Sequence, residues 1–241
     1  MTESCAAHRW RRFASGWRGS GSSSADRMVR ITGGQFKGLS LRVPRALRAT
    51  EAKVRQALFN ILGDAIEGAR VVDAFAGSGA IGLEALSRGA AFVAFLESAT
   101  EAVMAIRDNL TRLGPQVPRT AWRLLHLEVE HGLRTLAGTE RPFDLVVCDP
   151  LYCSEEGKKA LKAVGEYAIL APAGIVVVEH DHRTVLPSAM GFLQQGKRHR
   201  YGGTVLSFYH MTSAQPTTSG PGGTRAPSPH HDDTRDLPRD V

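Results

Sequence analysis

The chain has 241 residues, 42% hydrophobic and 22% charged, the balance of an ordinary folded domain with polar ends. Its longest apolar stretch, residues 83–96, is interrupted by Glu84 and Arg88, so no segment reaches the ~18 apolar residues of a spanning helix. The net charge of +6 is uneven: residues 1–60 hold 12 Lys/Arg against 3 Asp/Glu, and residues 61–241 hold 18 against 21. A basic front joined to a near-neutral body is the pattern of a polyanion-binding end beside a catalytic one.

Residues 1–27 are rich in Arg, Ser, Gly and Trp without periodicity, and the composition predicts disorder. They have some transit-peptide character, but an upstream start codon, with Met28 the working one, fits better because structured patterning begins at Val29. Residues 29–32 and 39–43 read as strands around Gly33-Gly34-Gln35-Phe36-Lys37-Gly38, a basic hairpin. Thr50 can cap a helix with an apolar stripe at Val54, Leu58, Ile61 and Leu62. Together these form an expected unit at residues 28–63, whose Arg30, Lys37, Arg42, Arg45, Arg48 and Arg55 are candidates for gripping nucleic-acid phosphates.

Residues 64–212 then alternate. Strands are expected at 70–74, 92–97, 122–127, 144–148 and 174–179, with a final pair near 192–200 and 203–209. Helices are expected at 79–88, 100–113, 130–137 and 156–169. Apolar strands alternating with helices mean an open α/β sheet covered on both faces. Residues 213–241 read as a disordered tail. His230-His231 beside Asp232-Asp233 there is a weak metal-binding pattern, outweighed by the reading as solvated tail, so no metal is expected. Cys5, Cys148 and Cys153 suit neither a disulfide framework nor a zinc site. Cys148 reads as a small core residue, and a reducing, cytoplasmic compartment fits.

The most informative segment is Val71-Val72-Asp73-Ala74-Phe75-Ala76-Gly77-Ser78-Gly79-Ala80-Ile81-Gly82. A buried strand ends at Asp73, a small-residue loop follows, and a helix opens near Gly79, where free N–H groups and missing side chains admit a ligand. Gly77, Gly79 and Gly82 spell G-x-G-x-x-G, with Glu97 placed 20 residues after Gly77 to bind ribose hydroxyls. By itself the segment serves NAD or S-adenosylmethionine. Asp73 favours the second, because its charge repels a pyrophosphate and attracts an ammonium.

A second apolar strand ends in Asp149-Pro150-Leu151-Tyr152. In open α/β sheets ligands bind beyond the carboxyl ends of the strands, which brings Asp149 to the glycine loop. The Asp149 carboxylate and the Pro150 carbonyl can accept N–H groups of an aromatic amine and stabilise the charge that develops on its nitrogen. The Tyr152 ring can stack on an extruded base.

With both segments present, the sequence resembles the RsmD family of small-subunit ribosomal RNA guanine-N2 methyltransferases, over roughly residues 29–211. The resemblance is carried by Arg30-Ile31-Thr32-Gly33-Gly34-Gln35-Phe36-Lys37-Gly38, by residues 54–62, by the glycine loop, by Gly82-Leu83-Glu84-Ala85-Leu86-Ser87-Arg88-Gly89-Ala90, and by Tyr201-Gly202-Gly203-Thr204. It departs at Leu151, where the family has a second proline, and at Ala49. It implies a class I S-adenosylmethionine-dependent methyltransferase fold with a seven-stranded sheet and an antiparallel last pair. It also implies a monomer acting on the exocyclic N2 of a guanine in 16S rRNA within an assembling small subunit. By the same resemblance Asp73, Gly77, Ser78 and Gly79 hold the methionine end of the cofactor, Glu97 the ribose, and Glu128 (with Glu130 a close competitor) the adenine, with Phe75 a further cofactor-binding residue. Two rivals use the same segments: an adenine-N6 or glutamine-N5 methyltransferase, and an NAD-dependent oxidoreductase. A non-catalytic RNA-binding protein is a third.

Overall fold

The structure, a computed structural model, describes residues 26–45, 47, 51–150 and 154–212. The expected disordered ends, Arg48, the Thr50 cap, Leu151, Tyr152, Cys5 and Cys153 lie outside these residues. A two-stranded antiparallel hairpin, β1 (Arg27–Arg30) and β2 (Ser40–Val43), leads into helix α1 (Ala52–Leu62). Then follow β3 (Arg70–Ala74), α2 (Ala80–Ser87), β4 (Phe92–Glu97), α3 (Thr100–Leu113), β5 (Trp122–His126), α4 (Val129–Thr139), β6 (Phe143–Cys148), α5 (Ser154–Glu166), β7 (Leu170–Asp181), β8 (Ala189–Met190), β9 (Leu193–Tyr201) and β10 (Thr204–Met211).

The sheet runs β5-β4-β3-β6-β7-β10-β9-β8. Strands β3 to β7 are parallel, and β10 runs antiparallel between β7 and β9. The seven expected strands are present with their antiparallel pair, and the two-residue β8 is added at the edge. From β3 the chain moves to one side through β4 and β5, then returns to the other side with β6. This reversal opens a crevice at the carboxyl ends of β3 and β6, where α/β sheets bind ligands.

Helices cover both faces. On one, α2 and α3 bury Ile81, Leu83, Ile106 and Leu110 against Val71, Val93, Phe95 and Leu145. On the other, α4 and α5 bury Leu133, Leu136, Leu161 and Val164 against Val72, Leu96, Val146 and Val178. Hairpin and α1 residues Ile31, Leu41, Val54, Leu58 and Phe59 belong to the first of these cores, while Val43 and Leu47 form a small cluster with Ala102 of α3.

Helix α1 corrects the reading of its stripe. Ile61 is 38% exposed, while Arg55 is fully buried beside Val54, Leu58 and Phe59. Arg55 Nε donates to Glu84 Oε2 at 3.3 Å, and its Nη2 donates to the Arg30 carbonyl at 2.6 Å. Arg55 is therefore withdrawn as a phosphate-gripping residue: it is an internal strut. Glu84, also fully buried, accepts from the Thr32 N–H (2.8 Å), the Thr32 hydroxyl (2.6 Å) and Arg88 Nε (3.0 Å). Ser87 completes the joint: its hydroxyl donates to the Gly33 carbonyl at 2.6 Å, and it accepts from the Phe36 N–H at 3.0 Å. Three sequence segments that resemble one family thus meet at one junction between the hairpin turn and α2.

Candidate active site

The glycine loop joins β3 to α2. Gly77 has φ +56, and an added Cβ there meets nothing nearer than the Phe75 carbonyl at 4.0 Å. The backbone turns in the left-handed region with open space above it, as a closely approaching ligand requires. Phe75 also has a positive φ, +64, a strained state for a bulky residue and one that clusters at ligand sites. Gly82 serves packing: a Cβ there would lie 2.3 Å from the Phe95 ring, so its absence lets α2 sit tightly on the sheet. Ser78 is buried, and its carbonyl accepts from Asn109 Nδ2 at 3.0 Å. Asn109, fully buried on α3, also accepts from the Arg42 N–H (2.8 Å) and donates to the Arg42 carbonyl (2.9 Å). One side chain ties strand β2 to the glycine loop.

Carboxylates converge on this loop. Asp73, 1% exposed, accepts from the Gly82 N–H at 2.8 Å. Burial first, then the charges of Asp149 and Glu97, hold its carboxyl well above the usual range, with the Gly82 bond opposing. At the end of β4, Glu97 accepts from the Gly77 N–H (2.7 Å), the Ser98 N–H (2.9 Å) and the Ala99 N–H (2.8 Å). Burial raises its pKa, the three backbone bonds oppose the rise, and the Glu128 charge adds to it. Glu128, at the N-cap of α4, is exposed and near enough to act on Glu97. Cys148 is buried as expected, its thiol pushed up to about 12 by burial and by Asp73 and Asp149.

This chemistry discriminates between the two cofactors. A pyrophosphate at the loop would add repulsion to the burial that already disfavours the ionised forms of Asp73 and Glu97. A sulfonium and an ammonium relieve the same repulsion. The residues fit S-adenosylmethionine in two respects, the open left-handed turn at Gly77 and acid where the cofactor carries positive charge. Gly79 is left-handed but packed, since a Cβ there would meet Ile106, Leu83 and Phe95 at 3.2–3.3 Å. Glu97→Ala is expected to weaken S-adenosylmethionine binding by roughly 1.5–3 kcal/mol, the range for hydrogen bonds to a charged group. An unchanged Kd in calorimetric titration would remove Glu97 as the ribose ligand.

Asp149 and Pro150 close β6 and line a cavity of about 1000 Å³. Its other walls come from the end of β7 (Val178, Glu179, His180), from Leu186, and from the turn between β9 and β10, Tyr201 to Thr204. His180 accepted no role in the sequence reading. Its Nδ1 lies 2.9 Å from the Asp181 carbonyl and its Nε2 2.8 Å from the hydroxyl of buried Ser207. The carbonyl can only accept, so Nδ1 carries the proton and Nε2 accepts from Ser207. Burial, helped by Arg198 and opposed by the bond to the Asp181 carbonyl, lowers the pKa of this ring.

Among the basic candidates, Arg30, Lys37 and Arg45 are exposed. Arg42 is paired with Asp26 and with Asp108 (2.6 Å), so its charge is already neutralised twice. Among the described residues no group of His, Cys, Asp and Glu is arranged to hold a metal ion, and no helix is long and apolar enough to cross a membrane.

A class I sheet with a reversal beside β3, a glycine loop set among carboxylates and an Asp-Pro strand end define an S-adenosylmethionine-dependent methyltransferase. The chain belongs to the family described as "Conserved hypothetical protein 95", whose model matches residues 29–210. It is similar to the "Putative rRNA methyltransferase YlbH" of Bacillus subtilis, with 33% identity over 183 residues, 75% of this chain and 98% of that one. It is similar also to ribosomal RNA small subunit methyltransferase D of Escherichia coli, with 32% identity over 167 residues, 68% of this chain and 81% of the other. Among solved structures, a "Putative methyltransferase yhhF from Escherichia coli" superposes with a TM-score of 0.68 at 28% identity, covering 78% of this chain and all of that one.

Proposed function

We propose that this methyltransferase acts on the exocyclic N2 of a guanine in small-subunit ribosomal RNA, 16S rRNA. The observation that carries the proposal is the Asp149-Pro150 strand end, near enough to the loop for Asp149 to act on Asp73 and lining a cavity large enough for a base. S-adenosylmethionine supplies the activated methyl group. The protein's part is positioning, which suffices for a reaction whose methyl donor is already activated. The Asp149 carboxylate and the Pro150 carbonyl accept the two N–H groups of the amine. This turns the nitrogen lone pair out of the ring and toward the loop, and favours the charge that develops on nitrogen as the new bond forms. Tyr152 is the proposed stacking partner of the base. The substrate class is supported by the names of the B. subtilis and E. coli relatives, both of which refer to ribosomal RNA.

Arg30, Lys37 and Arg45 are the proposed phosphate contacts of the hairpin; such contacts position RNA without reading its sequence. The test is transfer of labelled methyl from S-adenosylmethionine to small subunits, and to their naked RNA, from a strain lacking the enzyme, followed by nucleoside analysis. Label in N2-methylguanosine is the expected result. Label in N6-methyladenosine would replace guanine by adenine, and label in neither RNA would remove the substrate class. In the same assay Arg30→Glu/Lys37→Glu should raise KM for RNA and leave cofactor affinity unchanged.

A further inference from the structure

Averaging over the body of the chain conceals a second basic segment. Residues 182–212 contain Arg183, Lys197, Arg198 and Arg200 and not one Asp or Glu. Lys197, Arg198 and Arg200 are exposed on β9, and among the described residues none of the three has an ion-pair partner. Strand β8 pairs only with Leu193 and Gln194, and the Gln195 N–H donates to the Ser188 carbonyl at 2.8 Å; beyond Gln195 the outer edge of β9 is open among the described residues.

The register connects this edge to the cavity. Arg200 lies opposite Val205 of β10, and Val205 lies opposite His180 of β7. Arg198 lies opposite Ser207, and Ser207 opposite Val178. Residues paired across antiparallel strands share a face, so both arginines stand on the face that carries His180 and Val178, two walls of the cavity. Adjacent strands are ~4.8 Å apart, which puts β9 about 10 Å from β7. Arg200 Nε donates to the Gly202 carbonyl at 2.8 Å, bracing the side chain on the turn that forms another wall. Carboxylates occur on the inner side, Asp149, Glu179 and Asp181, and Asp181 is bound by Arg183 at 2.9 Å.

We propose that β9 is a second RNA-binding surface, on which Arg198 and Arg200 hold phosphates of the strand whose base enters the cavity at Asp149. The inference rests on the nucleic-acid reading above and extends it from the hairpin to the opposite part of the chain. Two phosphate-binding surfaces, one on the hairpin and one on β9, hold a polynucleotide at two points. Basic residues on an edge strand also serve to block edge-to-edge pairing of sheets, and this alternative has a different signature.

The experiment compares wild type with Arg198→Glu/Arg200→Glu and with a control of equal charge change, Arg134→Glu/Arg141→Glu, both exposed and outside the cavity lining. Binding of a fluorescein-labelled single-stranded RNA and of small-subunit rRNA is measured from 50 to 400 mM salt. Each lost contact removes about 0.7 from the log–log salt slope of a single strand. The β9 pair is expected to lose about 1.4 and to bind about tenfold more weakly at 150 mM salt, with S-adenosylmethionine affinity unchanged and KM for RNA raised more than kcat is lowered. Arg198→Gln/Arg200→Gln should move in the same direction, which keeps the test open should charge reversal disturb the fold. A slope and affinity no lower than those of the control pair would overturn the proposal. So would self-association of the β9 variant in sedimentation with unchanged RNA binding by its monomer, the result expected of edge protection or of strand addition by another protein. If wild type neither binds nor methylates RNA, the underlying reading fails, a result distinguishable from loss of β9's part alone.

Discussion

Asp149→Ala is expected to lower the rate of methyl transfer by ~10²–10³, the usual cost of removing one group aimed at developing charge. S-adenosylmethionine affinity should stay within a few-fold, because the main proposed partner of Asp149 is the target amine. The charge of Asp149 also contributes to the raised pKa of Asp73 and Cys148, so its removal should let the Asp73 carboxyl ionise at lower pH. Asp149→Asn removes the same charge but keeps an acceptor oxygen and the side-chain shape. Its rate should fall between those of wild type and the alanine variant. Single-turnover kinetics with saturating RNA make the measurement, and retention of more than about half the wild-type rate by Asp149→Ala would remove this residue from the mechanism.

The second large effect is on stability. Glu84→Ala is expected to destabilise the protein by about 3–5 kcal/mol, the cost of leaving one partner of a buried ion pair uncompensated. The cost should be at the upper end because Arg55 Nη1 is buried without a hydrogen-bond partner and relies on the surrounding charge. Desolvation already lowers the Arg55 pKa, with Glu84 as the opposing influence. Replacing both residues by apolar ones of similar volume, Glu84→Leu/Arg55→Met, should cost less than the single change, since two charges then no longer need to be kept out of water. Urea unfolding of the three proteins checks this. A loss under 1 kcal/mol for Glu84→Ala would mean that water reaches the joint.

Much of the architecture was legible in the sequence, because most of its elements are specified locally. Strand β4 and helix α3 have the expected bounds: the first is a continuous apolar run ending at an acid, the second an amphipathic run stopped by Gly114-Pro115. Strand β7 begins at Leu170, four residues before expectation, because Pro172 and Gly174 mask its start. The miss at Arg55 has another origin. A lone arginine at a helical position is read as exposed, and the acid that neutralises it lies 29 residues later in the chain. The only local signal was the presence of Glu84 and Arg88 within an apolar stretch. The acid cluster was half legible: strand ends predict that Asp73, Glu97 and Asp149 approach one another. The antiparallel last pair was expected, but the insertion of β10 between β7 and β9, which brings His180 and the turn at Tyr201 to the cavity, depends on long-range pairing.

Asn109 sets a limit on what evolution or an engineer can do far from the chemistry. Its oxygen takes one backbone N–H and its nitrogen serves two backbone carbonyls, in a site without exposure. Aspartate has the same shape but offers no donor, so it would set a charge against two carbonyl oxygens. Leucine fills the volume and strands three polar groups in a dry interior. Glutamine carries one methylene too many for a packed helix–sheet contact. No other common side chain supplies both roles at that length, so the amide is the one vocabulary shared by hairpin strand β2 and the glycine loop. A library that randomises this position should return asparagine almost alone, although nothing at residue 109 touches either substrate.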